Sequence, residues 1–347
     1  HTKSLLRNLP EGVTVMSLAE AAVRFPDSVA RCYGKIAPLD NTQVALNTLL
    51  VQDGVYIRLE KGVKLDRPLQ IVNIFQSDVP MMAVRRLLVD VCEDADLRLL
   101  LCDHSRNDAV DYLGLQVIEA NVGRGARFEV YDIEESDAST RRLSLAFVRQ
   151  EERSSFLGNA TTLLNGITRN EYTVDILGER CSTGLYGMAV GSAAQHIDNS
   201  TVINHRVGRS TSNQLFRYVL DDEARGAFEG LIEVFPDARF TEAFQTNNNI
   251  LASQGAQMHA KPQLIINNDD VKCSHGATTG QLNQEALFYM QSRGIPRDEA
   301  RTMLMQAFMV DVIDTVSVEA LRDRLRHLVE KRFAGTLGAC EGCRKLS

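Results

Sequence analysis

The chain has 347 residues, and its 38 Lys and Arg against 45 Asp and Glu give a formal charge of −7. A hydrophobic content of 44% with 24% charged residues is that of a globular protein and excludes a disordered chain. The acidic balance and the absence of Trp argue against nucleic acid as a partner. Because no apolar run approaches the roughly 18 residues of a membrane span and no secretory signal is visible, we expect a cytoplasmic protein without membrane contact.

Local signals predict a small α/β region at the N-terminus. Ser17 and Glu20 have the spacing of a capping box, which indicates the start of a helix that ends before Pro26. A second helix is expected over Thr42–Leu50, with Asn41 as its N-cap.

From Val55 to Gly280 the hydrophobic period changes to two, which is typical of strands. Turn residues separate many short alternating runs, so a sandwich, a barrel or a β-solenoid is expected. Leu177–Gly187 resembles Leu220–Gly230, which begins 43 residues later, and this spacing suggests two solenoid coils of roughly 20 residues each. The run Asn247-Asn248-Asn249 is expected near a coil corner. The residues alone favour a β-helix and leave a β-sandwich as a close alternative.

The C-terminal region has helical signals. Asn283 is expected to cap a helix that runs through Ser292, and Pro296 fits the first turn of the next helix. Ser317 is expected to cap a third helix that ends at Gly335. We expect these helices to cover the open end strand of a solenoid. The second helix has one apolar stripe, which consists of Ala300, Met303, Leu304, Ala307 and Phe308.

Common catalytic and cofactor motifs are missing from the sequence. There is no Walker A loop, no dinucleotide fingerprint, no H-E-x-x-H and no G-x-S-x-G. Asp103-His104-Ser105 contains the residue types of a catalytic triad, but adjacent residues point apart, so we interpret it as a turn.

The cysteines give a weak signal. There are seven, an odd number scattered along the chain, which indicates reduced thiols. Cys340 and Cys343 form a C-x-x-C, but no second pair completes a four-ligand zinc site. We predict that both are dispensable and leave a metal or redox role as the alternative.

The segment Val271–Gly280 contains several side chains that can bind metal or react, close together in the sequence. Cys273 and His275 are two residues apart and share one face of an extended strand. Both side chains suit iron, copper or zinc, and Lys272 together with His275 is expected to lower the thiol pKa. Two ligands make half a metal site, so the spacing leaves a functional metal contact and a structural pair both open.

Motifs in this region resemble the SufB/SufD family of iron–sulfur cluster assembly proteins, over about residues 50 to 315. The Cys-Ser-His-Gly-Ala-Thr form is more similar to the SufD branch than to the SufB branch. The matching motifs are Gly62-Val63, Pro68-Leu69-Gln70, Gly226-Ala227-Phe228-Glu229-Gly230, Asn248-Asn249-Ile250-Leu251, Lys261-Pro262-Gln263-Leu264, Asp269 to Gly280, Phe288-Tyr289 and Arg293-Gly294-Ile295.

The resemblance implies a mainly β fold with a right-handed parallel β-helix core. The domains expected from it are an N-terminal α/β region (1–54), the β-helix (55–280) and a C-terminal helical domain (281–347). The N-terminal region is expected to be truncated relative to the family, which fits a chain that begins with His1 rather than Met.

The resemblance also implies a non-enzymatic scaffold subunit of the SUF system. The β-helix would pair with SufB, and the C-terminal helices would bind the SufC ATPase, with Arg293, Arg297 and Arg301 as candidate docking residues. A nascent iron–sulfur cluster would form transiently at the SufB–SufD interface, with His275 as a shared metal ligand and Cys273 as its neighbour. No cofactor is expected to stay bound to the isolated chain.

Two other functions stay open at this point. A β-helix carbohydrate-active enzyme would need paired carboxylates beside a sugar groove, and usually a signal for secretion. An autonomous iron–sulfur protein would need about four closely spaced cysteines. The residues leave open a homodimer of the isolated chain, the cluster type, the sulfur donor and a flavin.

Overall fold

Two large sheets dominate the computed structural model, which describes residues 9–105 and 109–337. In spatial order, the first sheet contains β1 (Val13–Ser17), β2 (Val55–Leu59), β4 (Met81–Val91), β6 (Tyr112–Val122), β8 (Thr140–Gln150), β10 (Ile167–Ile176), β12 (His196–His205), β14 (Arg225–Val234) and β16 (Gln257–Ile266). The second contains β3 (Leu69–Phe75), β5 (Asp96–Ser105), β7 (Arg127–Glu135), β9 (Ser155–Leu164), β11 (Ser182–Gly191), β13 (Thr211–Leu220), β15 (Glu242–Leu251) and β17 (Lys272–Gly280).

After β2, consecutive strands alternate between the two sheets, and each pairs in parallel with the strand two positions further along the chain. This connectivity is that of a parallel β-helix, so the predicted fold is confirmed and the sandwich alternative is wrong. The exception is β1, which pairs antiparallel with β2. The three-domain division stays a prediction.

The coil length differs from the expectation. Asn170 and Asn199 lie opposite each other on neighbouring strands and are 29 residues apart, whereas Glu229 and Lys261 are 32 apart. A coil of roughly 20 residues is therefore wrong, because each coil contains two strands of about ten residues together with their turns. The two similar segments end in β11 and β14, on opposite sheets, so they are not equivalent positions of two coils.

Inward-facing side chains from both sheets fill the β-helix. Alternate residues such as Leu97, Leu99 and Leu101 of β5 are fully buried, as the period of two requires. Aromatic rings fill wider parts of the interior, and the rings of Phe216 and Phe228 lie 4.8 Å apart between their centroids.

The interior also holds charge. Arg142 donates to Asp103 at 2.7 Å and to Asp132 at 2.6 Å, and all three side chains are buried. Asp103, His104 and Ser105 form the buried end of β5, so the interpretation of this segment as a turn is wrong. Asp103 makes a structural ion pair there.

Three N-terminal helices pack on the outer face of the first sheet: α1 (Leu18–Arg24), α2 (Pro26–Cys32) and α3 (Thr42–Leu50). The Ser17 hydroxyl accepts from the Glu20 amide, and the Asn41 side chain accepts from Gln43 and Val44, so both predicted N-caps are confirmed. The sequence reading missed α2.

There are three C-terminal helices in the described chain: α4 (Gln284–Ser292), α5 (Arg297–Ile313) and α6 (Glu319–Phe333). The helices α5 and α6 pack on the outer face of the second sheet, and α4 contacts α5. The expectation that they cover the open end strand is wrong. An apolar row on the outside of the sheet accounts for their position, since these side chains would otherwise face water. The row includes Cys102, Ile133, Leu163, Val190 and Val219.

Two details of these helices also differ from the expectation. In α5, Met303 and Ala307 are exposed, so the predicted stripe is rotated relative to the face that packs. That face consists of Ala300, Met305, Met309, Val312 and Ile313. Ser317 does not cap α6, since its hydroxyl bonds Glu129 and Tyr131 of β7. Asn283 caps α4 as predicted. No helix in the described ranges is long and apolar enough to cross a membrane.

Candidate functional site

The segment with Cys273 and His275 forms β17, the edge strand of the second sheet. Within the described chain, β17 pairs with β15 on one side and its other edge is unpaired. On the first sheet, β16 likewise pairs with β14 and ends the sheet. The last coil therefore leaves the end of the β-helix open.

Cys273 and His275 lie in the row of β17 that continues the interior of the β-helix. Their register partners on β15 are Ala243 and Gln245, which are both buried. Cys273 is half-buried beside apolar residues, whereas His275 is exposed at the open end. The placement on one strand, two residues apart, is as the sequence predicts. The imidazole is the accessible member of the pair.

The Cys273 thiol is not activated by its surroundings. Burial raises its pKa, although a backbone hydrogen bond from Ala243 acts in the other direction. The Lys272 ammonium lies 2.8 Å from the Glu242 carboxylate, so it is already paired. The expectation that Lys272 and His275 lower the thiol pKa is therefore wrong, because desolvation is the larger effect.

Two asparagines of β15 hold the second half of β17. The Asn249 amide donates to the Thr278 carbonyl at 3.0 Å, and the Thr278 hydroxyl donates to Asn248 at 2.8 Å. Asn249 also donates to Asn247 at 2.7 Å. The run lies in the middle of β15, so its predicted place at a coil corner is wrong. These hydrogen bonds hold β17, the strand that carries His275, against β15.

The candidate docking arginines have different environments. The Arg293 guanidinium lies over the Tyr289 ring, 5.2 Å from its centroid. Arg297 is exposed at the start of α5. Arg301 donates to the Ala252 carbonyl at 3.0 Å, so its guanidinium is already engaged within this chain.

Two further points concern metal ligands. Among residues 9–105 and 109–337, no three His, Cys, Asp or Glu side chains are grouped so that they can hold a metal ion. Cys340 and Cys343 lie outside the described residues, and their dispensability stays a prediction.

Comparison with known proteins decides the family. Residues 73–308 match the model of the SUF system FeS cluster assembly SufBD core domain, and residues 1–71 match the SufBD protein N-terminal region. The chain belongs to the SufBD family. It is therefore an iron–sulfur cluster assembly protein of the SUF type, and the resemblance seen in the motifs is confirmed.

Similar SufBD proteins include two named SufD. The iron–sulfur cluster assembly protein SufD of Escherichia coli is 28% identical over 293 residues, which are 84% of this chain and 69% of the relative. SufD of Bacillus subtilis is 25% identical, over 93% of this chain and 74% of the relative. A SufBD family protein of Synechocystis is 26% identical, over 94% of this chain and 74% of the relative.

Proposed function

We propose that this chain is the SufD-type scaffold subunit of a SUF assembly complex, without catalytic activity of its own. It pairs with SufB through the open end of the β-helix and binds the SufC ATPase through its C-terminal helices. His275 contributes one ligand to a nascent cluster, and SufB supplies the others. Membership of the SufBD family favours this function over a carbohydrate-active enzyme.

The observation that carries the proposal is the position of His275. The imidazole is exposed on β17, an edge strand that pairs only with β15 among the described strands, at the open end of the β-helix. Imidazole is a good ligand for iron, but one imidazole with a half-buried thiol does not complete a site. A ligand in this position suits a cluster that is shared with a second protein.

The surroundings of His275 support a protein partner. Exposed strand edges offer unpaired backbone groups to another chain. Added side chains at Gly276 or Gly280 would meet nothing within 4 Å, so packing inside this chain does not require these glycines. Glycine there instead allows another backbone to approach closely. Exposed apolar side chains lie around this end, namely Phe240, Phe244, Ile265 and Ile266.

The C-terminal helices offer a separate surface for the ATPase. Phe288 is 74% exposed and Tyr289 58% exposed on α4, next to Arg293 and close in sequence to Arg297. Aromatic and arginine side chains are enriched at the centres of protein interfaces. We therefore assign docking to Phe288, Tyr289, Arg293 and Arg297, without Arg301.

The test is His275→Ala in the chain co-expressed with SufB and SufC. We expect an intact complex, because an exposed imidazole contributes little to folding, and we expect loss of cluster formation from ferrous iron and sulfide. Visible absorption and the iron and acid-labile sulfide per complex measure the result. The matched control is His196→Ala, on β12 and away from both proposed surfaces. Wild-type cluster formation by His275→Ala would show that His275 is not a ligand.

A further inference from the structure

One buried amide lies beside the candidate site without a hydrogen-bond partner. Gln245 of β15 is 1% exposed, and neither its Nε2 nor its Oε1 has a partner within the described chain. Buried polar groups are nearly always paired in native proteins, so each exception needs an explanation.

The preceding coil offers a direct comparison, in which the Gln214 Oε1 is paired and the Gln214 Nε2 has no partner within the described chain. There the Thr201 hydroxyl of β12 donates to the Gln214 Oε1 of β13 across the interior, at 2.6 Å. One coil further on, the register partner of Gln214 is Gln245, and that of Thr201 is Gly230. Glycine has no hydroxyl to offer, so the Gln245 Oε1 lacks the donor that the Gln214 Oε1 has.

Gly230 also gives the amide its space. A Cβ atom added to Gly230 would lie 1.8 Å from the Gln245 Nε2, so the amide reaches across the interior to the backbone of β14. Glycine at this position leaves the Gln245 Oε1 without a donor and leaves room for the whole amide group.

The unpaired amide lies directly next to His275. Gln245 and His275 are register partners on neighbouring strands. Neighbouring strands lie about 4.8 Å apart, and register partners in a parallel sheet point to the same face. The Gln245 side chain therefore lies one strand inward from His275, on the same face of the sheet.

We propose that Gln245 is a second binding residue of this site, whose Nε2–H group donates to the sulfide or water of the iron species held by His275. This inference rests on the proposed function. Hydrogen bonds to cluster sulfurs tune such centres, and partners of this kind commonly change metal affinity about 10- to 100-fold. The Gln245 amide is then unpaired in the isolated chain because its hydrogen-bond partner is the iron species.

The test compares Gln245→Leu with Gln214→Leu in the complex with SufB and SufC. Leucine has a similar volume and removes the unpaired atoms, so Gln245→Leu is expected to keep or raise the melting temperature. It is expected to slow cluster formation from ferrous iron and sulfide about tenfold or more. Gln214→Leu deprives Thr201 of its acceptor, so we expect a lower melting temperature and unchanged cluster formation.

A second variant, Gly230→Ser, places a hydroxyl where Thr201 stands in the preceding coil and would engage or displace the amide. We expect it to slow cluster formation as well. Wild-type cluster formation by Gln245→Leu, or a slower rate that only follows a lower melting temperature, would overturn the role of Gln245. If His275→Ala remains inactive in that case, the proposed function stands. An active His275→Ala would refute the proposed function itself.

Discussion

At the scale of single residues, the positive and negative charges of the cluster inside the β-helix nearly cancel. Arg142 lies between Asp103 and Asp132, and Arg85 makes a second pair with Asp103, at 2.6 and 2.7 Å. Two guanidinium groups thus face two carboxylates. Glu134 is a further buried carboxyl, which accepts from Thr168 and Ser136. Burial raises the pKa of Glu134 to about 7.

Glu134→Gln should change the pH dependence of stability. A carboxyl with a raised pKa in the folded state binds a proton on folding, so it destabilises the fold as the pH rises from about 4.5 to about 7. At pH 8 the variant should therefore be more stable, by up to about 3 kcal/mol at 1.36 kcal/mol per pKa unit. At pH 4 the difference should nearly vanish. Urea unfolding at both pH values measures it.

The control for this experiment is Glu223→Gln, at an exposed turn. It should change the free energy of unfolding little at either pH. An equal effect of Glu134→Gln at pH 4 and pH 8 would contradict the argument, because a neutral amide should differ from the acid only where the acid is ionised.

At the scale of elements, α5 and α6 cover an apolar row on the second sheet, and α4 extends from them with exposed aromatic side chains. Removing residues 281–347 would uncover that row, so a deletion would confound lost binding with aggregation. Point substitutions on α4 leave the packed face unchanged and are the cleaner probe.

Phe288→Asp should weaken co-purification of SufC at least about tenfold, since loss of an aromatic anchor commonly costs an interface about 2 kcal/mol or more. Pairing with SufB should persist, because Phe288 belongs to α4 and not to β16 or β17, the strands that form the open end. Val23→Asp is the control, as Val23 is 81% exposed on α1. Full retention of SufC by Phe288→Asp would show that the docking surface is not on α4.

At the scale of the whole molecule, the open end is where the described part of the β-helix has no further coil to pair with. Ile265→Lys places a charge on β16 at this end and should abolish co-purification of SufB, since a lysine at an edge disfavours strand pairing. Ile167→Lys on β10 is the matched control, because Ile167 is exposed to a similar degree, 48% against 44%. Unchanged SufB recovery with Ile265→Lys would exclude this end as the interface.

The parts of the fold that depend on a few neighbouring residues were predictable from the sequence. The helix caps at Ser17, Asn41 and Asn283 each need only a side chain and the amides two or three residues ahead. The coil length was not predictable, because similar turn-and-strand segments occur on both sheets. The role of Gln245 was not predictable either. Its position beside His275 depends on the pairing of β15 with β17, which brings together residues that are 30 apart in the sequence.

The stacked arrangement has a consequence for the local stability of the site. In a solenoid each coil is stabilised by the coils on its two sides, and the terminal coil has one such neighbour. Local opening is therefore easiest at the last coil, which carries His275, and does not require the remaining coils to unfold. A partner that extends the stack would supply the missing neighbour. Assembly of the complex and ordering of the cluster ligand would then be one thermodynamically linked event.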